Sequence, residues 1–228
     1  MNIRSLTLPH TIIFDWDNTL ADSWGTITEA INTTRSAFGM DTWTIIEAKK
    51  LCTLAARDSF PQWFGTDSKR ALDIFFSTYN KTHLDNIKPL PGADELLRWM
   101  KAEKIHAFIV SNKRGDTLRR EVVHLGWADL FEAVVGSMDA QRDKPERDPV
   151  DLALKHVGLR ANDPNIWFVG DTHADVECAR NSGCTPVLIH NNADAEKLNV
   201  DLVFSDCIEL KSLLYNEANK NNKFRERS

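Results

Sequence analysis

The chain has 228 residues, 42% hydrophobic and 27% charged, with 28 Lys+Arg against 33 Asp+Glu for a formal charge of −5. That length suits one large domain, or a core with a smaller insert, and the apolar content suffices for a real core. The acidic balance excludes a general nucleic-acid binder, which needs a basic face to meet phosphates. The longest apolar runs, such as Ala107–Val110, fall far short of the roughly 20 residues that span a bilayer. Met1–Pro9 carries no apolar signal core, and Cys52, Cys178, Cys184 and Cys207 form no CxxC pair. The expectation is a cytoplasmic protein, not membrane-bound, with reduced and mostly buried thiols.

In chain order, the β-branched and aromatic run Thr11–Trp16 predicts a buried strand. Residues 24–88 then show no convincing strand. They predict helices over Trp24–Phe38, Thr44–Thr53 and Ser68–Leu84, with a loop around Ala55–Gly65. Beyond them, apolar residues at helical spacing alternate with short strands. Helices are expected over Gly92–Lys104, Asp116–Leu125, Pro149–Val157 (with Asp148 as its N-cap) and His173–Ser182, which ends at Gly183. Strands are expected at His106–Val110, Ala133–Val135, Asn165–Val169, Pro186–Ile189 and Leu202–Phe204.

This alternation predicts an α/β fold, a three-layer Rossmann-like parallel sheet with an inserted helical cap. The core is expected at residues 1–21 and 89–215 and the cap at 22–88. A solvated, frayed tail is expected at 216–228.

The chemistry sits at strand ends, where ligands bind in open α/β sheets. Asp15 and Asp17 follow the first strand. Ser111 and Asn112 follow the second and offer a hydroxyl, an amide and backbone N–H groups. Lys144 follows the third, and Asp171 and Asp175 follow the fourth. An isolated Asp-x-Asp is most simply a helix-capping turn. Four matching strand ends instead supply carboxylates for a metal, a cation and hydroxyl for a phosphoryl group, and a carboxylate nucleophile.

The stretches FDWDNTLADS (14–23), VSNK (110–113), DKPERDP (143–149) and GDTHADVECARNSG (170–183) resemble, in order and spacing, the haloacid dehalogenase-like hydrolases. The likeness runs from Thr11 to about Leu214 and is closest in pattern to phosphoglycolate phosphatase-like enzymes with a helical cap. It implies magnesium-dependent hydrolysis of a small phosphorylated metabolite through an aspartyl-phosphate. Asp15 would be the nucleophile and a metal ligand. Asp17 would ligate through its backbone carbonyl and act as acid and base through its side chain. Thr19 would support that loop. Ser111, Asn112 and Lys144 would hold the phosphoryl group, Asp171 would ligate the metal, and Asp175 would orient metal-bound water or Lys144.

Asp17 argues against dehalogenation, since family members that dehalogenate lack that carboxylate. Asn18 departs from the Gly that many relatives carry, which leaves the subfamily open. Trp16 is expected to point away from the phosphate, toward the lid. Arg57 is the residue picked for substrate specificity, against a plain surface salt bridge. Trp63 and Phe64 are expected to pack the lid. His173 reads as a bystander, and Lys113 and Arg114 read as solvated charges in preference to positive potential at the site mouth. Alternatives are a sugar-phosphate phosphomutase, a phosphonatase using Lys49 or Lys50, and a non-catalytic protein that binds phosphorylated ligands. Mere binding has no need of Asp17.

Overall fold

The computed structural model describes residues 8–52, 54–190 and 195–225. Strand β1, Thr11–Phe14, is buried along its whole length. The chain leaves it through the two-residue strand β2, Ala21–Asp22, and passes through four helices. These are α1 (Trp24–Ala37), α2 (Ile45–Leu51), α3 (Ala56–Phe64) and α4 (Ser68–Asn86). It returns through β3, Lys88–Pro89, which pairs antiparallel with β2. The helical excursion therefore begins and ends on one small ribbon.

The remaining elements alternate: α5 (Ala93–Ala102), β4 (His106–Arg114), α6 (Gly115–His124), β5 (Ala133–Ser137), α7 (Asp148–Lys155), β6 (Ile166–Gly170), α8 (His173–Asn181), β7 (Thr185–Ile189), α9 (Ala195–Leu198), β8 (Leu202–Phe204) and α10 (Cys207–Arg225). Six strands form one sheet in the order β5-β4-β1-β6-β7-β8, and every adjacent pair is parallel. Strand β1 lies between β4 and β6. The chain builds outward from it in one direction and later in the other, and this reversal opens the crevice in which such sheets bind ligands.

Side chains alternate across β1 and so serve two cores. Ile12 and Phe14 join Leu96, Met100, Trp127, Leu210 and Leu214 beneath α5, α6 and α10. Ile13 joins Phe108, Val150, Leu154, Phe168 and Ala179 beneath α7 and α8. Helices on both faces explain why these strands read as continuous apolar runs. The excursion has its own core, Ile31, Phe60 and Ala71, with Trp43, Trp63, Phe64 and Phe75 packed around it. Trp63 and Phe64 pack there as expected.

Several local expectations fail for identifiable reasons. The stretch Ala55–Gly65, expected as a loop, contains helix α3, with Pro61 inside it. Burial of Phe60 against Trp63, Phe64 and Phe75 outweighs the carbonyl partner that Pro61 removes. Strand β4 does not end at Val110. It continues to Arg114, and its register against β5 shifts between the two. Asp148 is the first residue of α7, not its cap, and Arg142 grips its carboxylate at 2.9 Å. The end of the helix expected at Thr44–Thr53 falls on Thr53, outside the described residues.

The polar stretch from Asn216 is helical as far as Arg225, where composition predicts fraying. Leu210 and Leu214 anchor this helix in the core, and Tyr215 packs edge-on against Trp99. Residues 226–228 lie outside the description. The four cysteines are unpaired thiols. Among the described residues no helix is long and apolar enough to cross a membrane.

Gly170 closes β6 where α8 folds back onto the strand. A Cβ there would meet the side chain of Asp175 well inside contact distance. Gly170→Ala should therefore cost about 1–3 kcal/mol, as overpacking does, a drop of roughly 2–12 °C in Tm for a chain of this size. An unchanged Tm by calorimetry would show that Asp175 moves aside freely.

Candidate active site

The carboxyl ends of β1, β4 and β6 converge on one point. The Asp15 amide, just past β1, donates to Val169 O at 2.9 Å, so β6 fixes where the aspartate begins. The chain then turns at once, and the Trp16 carbonyl accepts from the amides of Thr19, Leu20 and Ala21. This turn needs a left-handed residue, and Asn18 takes that role with φ 61°. Asn tolerates that region better than most residues, which is why it can stand where many relatives carry Gly. The Thr19 hydroxyl is buried without a partner, so Thr19 supports the loop through its amide on Trp16 O rather than through its side chain.

Lys144 is the centre of the site. Its Nζ lies 2.6 Å from Asp15 Oδ1 and 2.6 Å from Asp175 Oδ1, and all three side chains are buried. Asp175 is held from its other oxygen by the amide and hydroxyl of Thr172, at 2.9 and 2.6 Å. Asn112 Nδ2 donates to Lys144 O at 3.1 Å, so β4 braces the loop that delivers the lysine. Ser111 is buried nearby, and its hydroxyl accepts from the Lys113 amide.

Asp171 completes the group. Oxygens of Asp15, Asp171 and Asp175 lie within 4.8 Å of one another. Such crowding is costly without a cation. Burial pushes the Asp15 carboxyl up to about 6 against the pull of Lys144, with Asp175 and Asp17 adding to the rise. Burial, then Asp175 and Asp15, hold Asp171 well above the usual range. Three hard oxygen donors under this strain fit a hard divalent cation. Asn18 Nδ2 donates to Asp171 Oδ2 at 2.7 Å, and Lys49 of α2 donates to Asn18 Oδ1 at 2.7 Å.

Asp17 lies beside this group, held by other partners. Its Oδ1 accepts from Ser23 Oγ and, at 2.6 Å, from Lys113 Nζ. Lys113 is not a solvated charge. It is buried, and it also donates to Tyr79 at 2.8 Å and to Glu121 at 2.7 Å. Burial works against its charge, yet Asp17, Tyr79 and Glu121 hold its proton more tightly than usual. Glu121 is wholly buried. It accepts from Trp16 Nε1 (2.7 Å), Tyr79 (2.8 Å) and Lys113, and pairs with His83 Nδ1 at 2.8 Å. Burial would raise its carboxyl, but Lys113, His83 and Tyr79 bring it down to about 2. Trp16 thus points away from the site into the core beside Trp127, not toward the lid.

Two other charges differ from expectation. Arg57 is neither on the cavity wall nor paired with Asp58. Its Nε lies 2.6 Å from Asp143 Oδ2, a carboxylate that also takes the Ser137 hydroxyl. Arg114 pairs with Asp116 at 2.9 Å and lies over the Phe76 ring. His173 stands at the surface beside Glu177. No signal in the sequence marked Glu121, Tyr79 and His83. Their only hint was an acid among the apolar positions of α6, with no partner nearby in sequence.

A family model described as haloacid dehalogenase-like hydrolase matches residues 12–189. A curated phosphoglycolate phosphatase of Nitrosococcus oceani is 26% identical over 226 residues, covering 93% of this chain and all of the relative. A HAD-superfamily hydrolase structure from Ehrlichia chaffeensis is 25% identical with a TM-score of 0.66, covering 94% of this chain and all of its own. A haloacid dehalogenase-like hydrolase structure from Streptococcus pneumoniae has a TM-score of 0.78 at 22% identity, covering 90% and 98%. At that identity it speaks for the fold alone.

Glu121 ionises more readily in the folded chain than in an unfolded one, where its value is 4.5. Its contribution to stability is complete above that value and fades as pH falls toward 2. Glu121→Gln should lower Tm at neutral pH and flatten the loss of Tm between about pH 5 and about pH 3. Parallel curves for the two proteins would contradict the pairing.

Proposed function

This chain belongs to the haloacid dehalogenase-like hydrolase family, and we propose that it is a magnesium-dependent phosphatase of small phosphate monoesters that works through an aspartyl-phosphate on Asp15. One observation carries the reading. Asp15, Asp171 and Asp175 meet at the carboxyl ends of the central strands, with Lys144 between Asp15 and Asp175, beside a cavity that the four-helix excursion covers.

The reaction divides into two displacements. In the first, a carboxylate oxygen of Asp15 attacks phosphorus and the ester P–O bond breaks. Asp17 gives its proton to the departing oxygen. In the second, Asp17 takes a proton from water as that water attacks the acyl phosphate. The bond between Asp15 and phosphorus breaks, the carboxylate returns and inorganic phosphate leaves.

Lys144 and the Ser111 hydroxyl hold the phosphoryl oxygens, and Asn112 keeps the Lys144 loop in place. Lys113 and Ser23 fix the Asp17 carboxyl at the cavity wall. Asp15, Asp171 and the Asp17 carbonyl would hold the magnesium ion, which neutralises charge on the transferring group when bound. Asp175 orients Lys144, as its 2.6 Å contact supports. The segment 22–88 acts as a cap that keeps bulk water from the reacting atoms.

Phosphate release from a panel of esters with magnesium tests the reading. Asp15→Asn should lower the rate at least about 1,000-fold with the fold intact by circular dichroism. Asp17→Asn should lower it about 100- to 10,000-fold, the range of general acid–base catalysis. Excess chelator should stop turnover, and added magnesium should restore it. Full activity in the Asp15 variant, or in chelator, would refute the proposed role concerned.

A further inference from the structure

The cavity over Asp15 has a volume of about 140 Å³, and its two sides differ in chemistry. The floor carries the aspartates, Ser111 and Lys144. The roof, formed by the helical segment, includes Trp24, Ile31, Phe60, Trp63, Phe75 and Phe76. Among the described residues of that segment that line the cavity, none is charged.

Its nearby cations are committed elsewhere. Arg57 pairs with Asp143, and Lys49 donates to Asn18; neither stands on the cavity wall. Arg114, at the cavity's core-side wall, is paired with Asp116 and stacked on Phe76. Lys113 is already shared by Asp17 and Glu121.

A leaving group bearing a carboxylate or second phosphate would meet this roof without a counter-charge. Burying an unpaired anion is among the costliest things a site can do. Yet the two-carbon acid in the relatives' name carries such a carboxylate. An uncharged ring faces no such cost. The lining that the helical segment supplies is mostly aromatic, which suits the flat face of a ring. The roof also holds one spare donor: the indole N–H of Trp24 is buried without a hydrogen-bond partner.

We infer that the substrates are phosphate monoesters of uncharged, ring-sized apolar alcohols, with the leaving group seated against the aromatic roof. The inference rests on the phosphatase reading above and adds the substrate class to it. Phe76 is the residue to alter. It is half-buried and lies outside the segment's central cluster, so the helices keep their core without it.

The test compares kcat/KM of the unaltered chain, with magnesium, for benzyl phosphate, ethyl phosphate and 2-phosphoglycolate. Benzyl and ethyl phosphate are both alkyl esters of uncharged alcohols, so their difference reports chiefly on the roof. Benzyl phosphate should exceed ethyl phosphate by about 10- to 100-fold, from the extra apolar area buried, and should exceed phosphoglycolate as well. Phe76→Arg should shift the preference toward phosphoglycolate.

Phosphoglycolate turned over as fast as benzyl phosphate would overturn the substrate class and leave the phosphatase reading standing. A preference for benzyl phosphate that persists undiminished in Phe76→Arg would overturn the role of the roof. No magnesium-dependent hydrolysis of any of the three esters would overturn both readings together.

Discussion

Two buried carboxylates and a half-buried third crowd together beside one lysine, and the rest of the structure serves to keep them there. Asp15 and Asp175 share Lys144, and an oxygen of Asp171 lies within 4.8 Å of both carboxylates, at the carboxyl ends of β1 and β6 in a sheet covered on both faces. One ammonium cannot balance three ionised neighbours away from water, and the raised values of Asp15 and Asp171 record that imbalance. The arrangement persists because each member is positioned by apolar packing. The β1 side chains fill both cores, Gly170 lets α8 close onto β6, and Asn18 allows the chain to turn immediately after Asp15. A divalent cation placed among these oxygens would relieve the repulsion, and the same charge would serve a phosphoryl group.

A second charged group ties the helical segment to this centre. Glu121 takes hydrogen bonds from Trp16 below and Tyr79 above, and Lys113 links it to Asp17. Tyr79 and His83 belong to α4, so the excursion docks on the core through a polar contact that has a single geometry. Buried ion pairs add little net stability, but breaking one is costly. Their value here is orientation. The contact that seats α4 also fixes the carboxyl of Asp17.

The fold was legible because its signals are local. Short β-branched runs marked strands, and polar residues at their ends marked the crevice. Asp15, Lys144, Asp171 and Asp175 could be picked out together because each follows a strand, and parallel topology brings such ends together. The Glu121 network was not legible. Lys113 in sequence looks like any charge beside Arg114, and its partners lie 8, 34 and 96 residues away. Arg57 was read against its neighbour Asp58, whereas its partner is Asp143, across the fold. Helix α3 was hidden by Pro61 and Gly65, whose usual effect is outweighed by aromatic packing that no local pattern displays.

The central claim is that Asp15 becomes covalently phosphorylated. The most direct measurement is peptide mass spectrometry of the protein quenched in acid during turnover of a phosphate ester. The account predicts a mass gain of one phosphoryl group on the peptide that carries Asp15, mapped to that residue. A peptide that stays unmodified while ester is consumed, or a phosphoryl group found on another side chain, would contradict it.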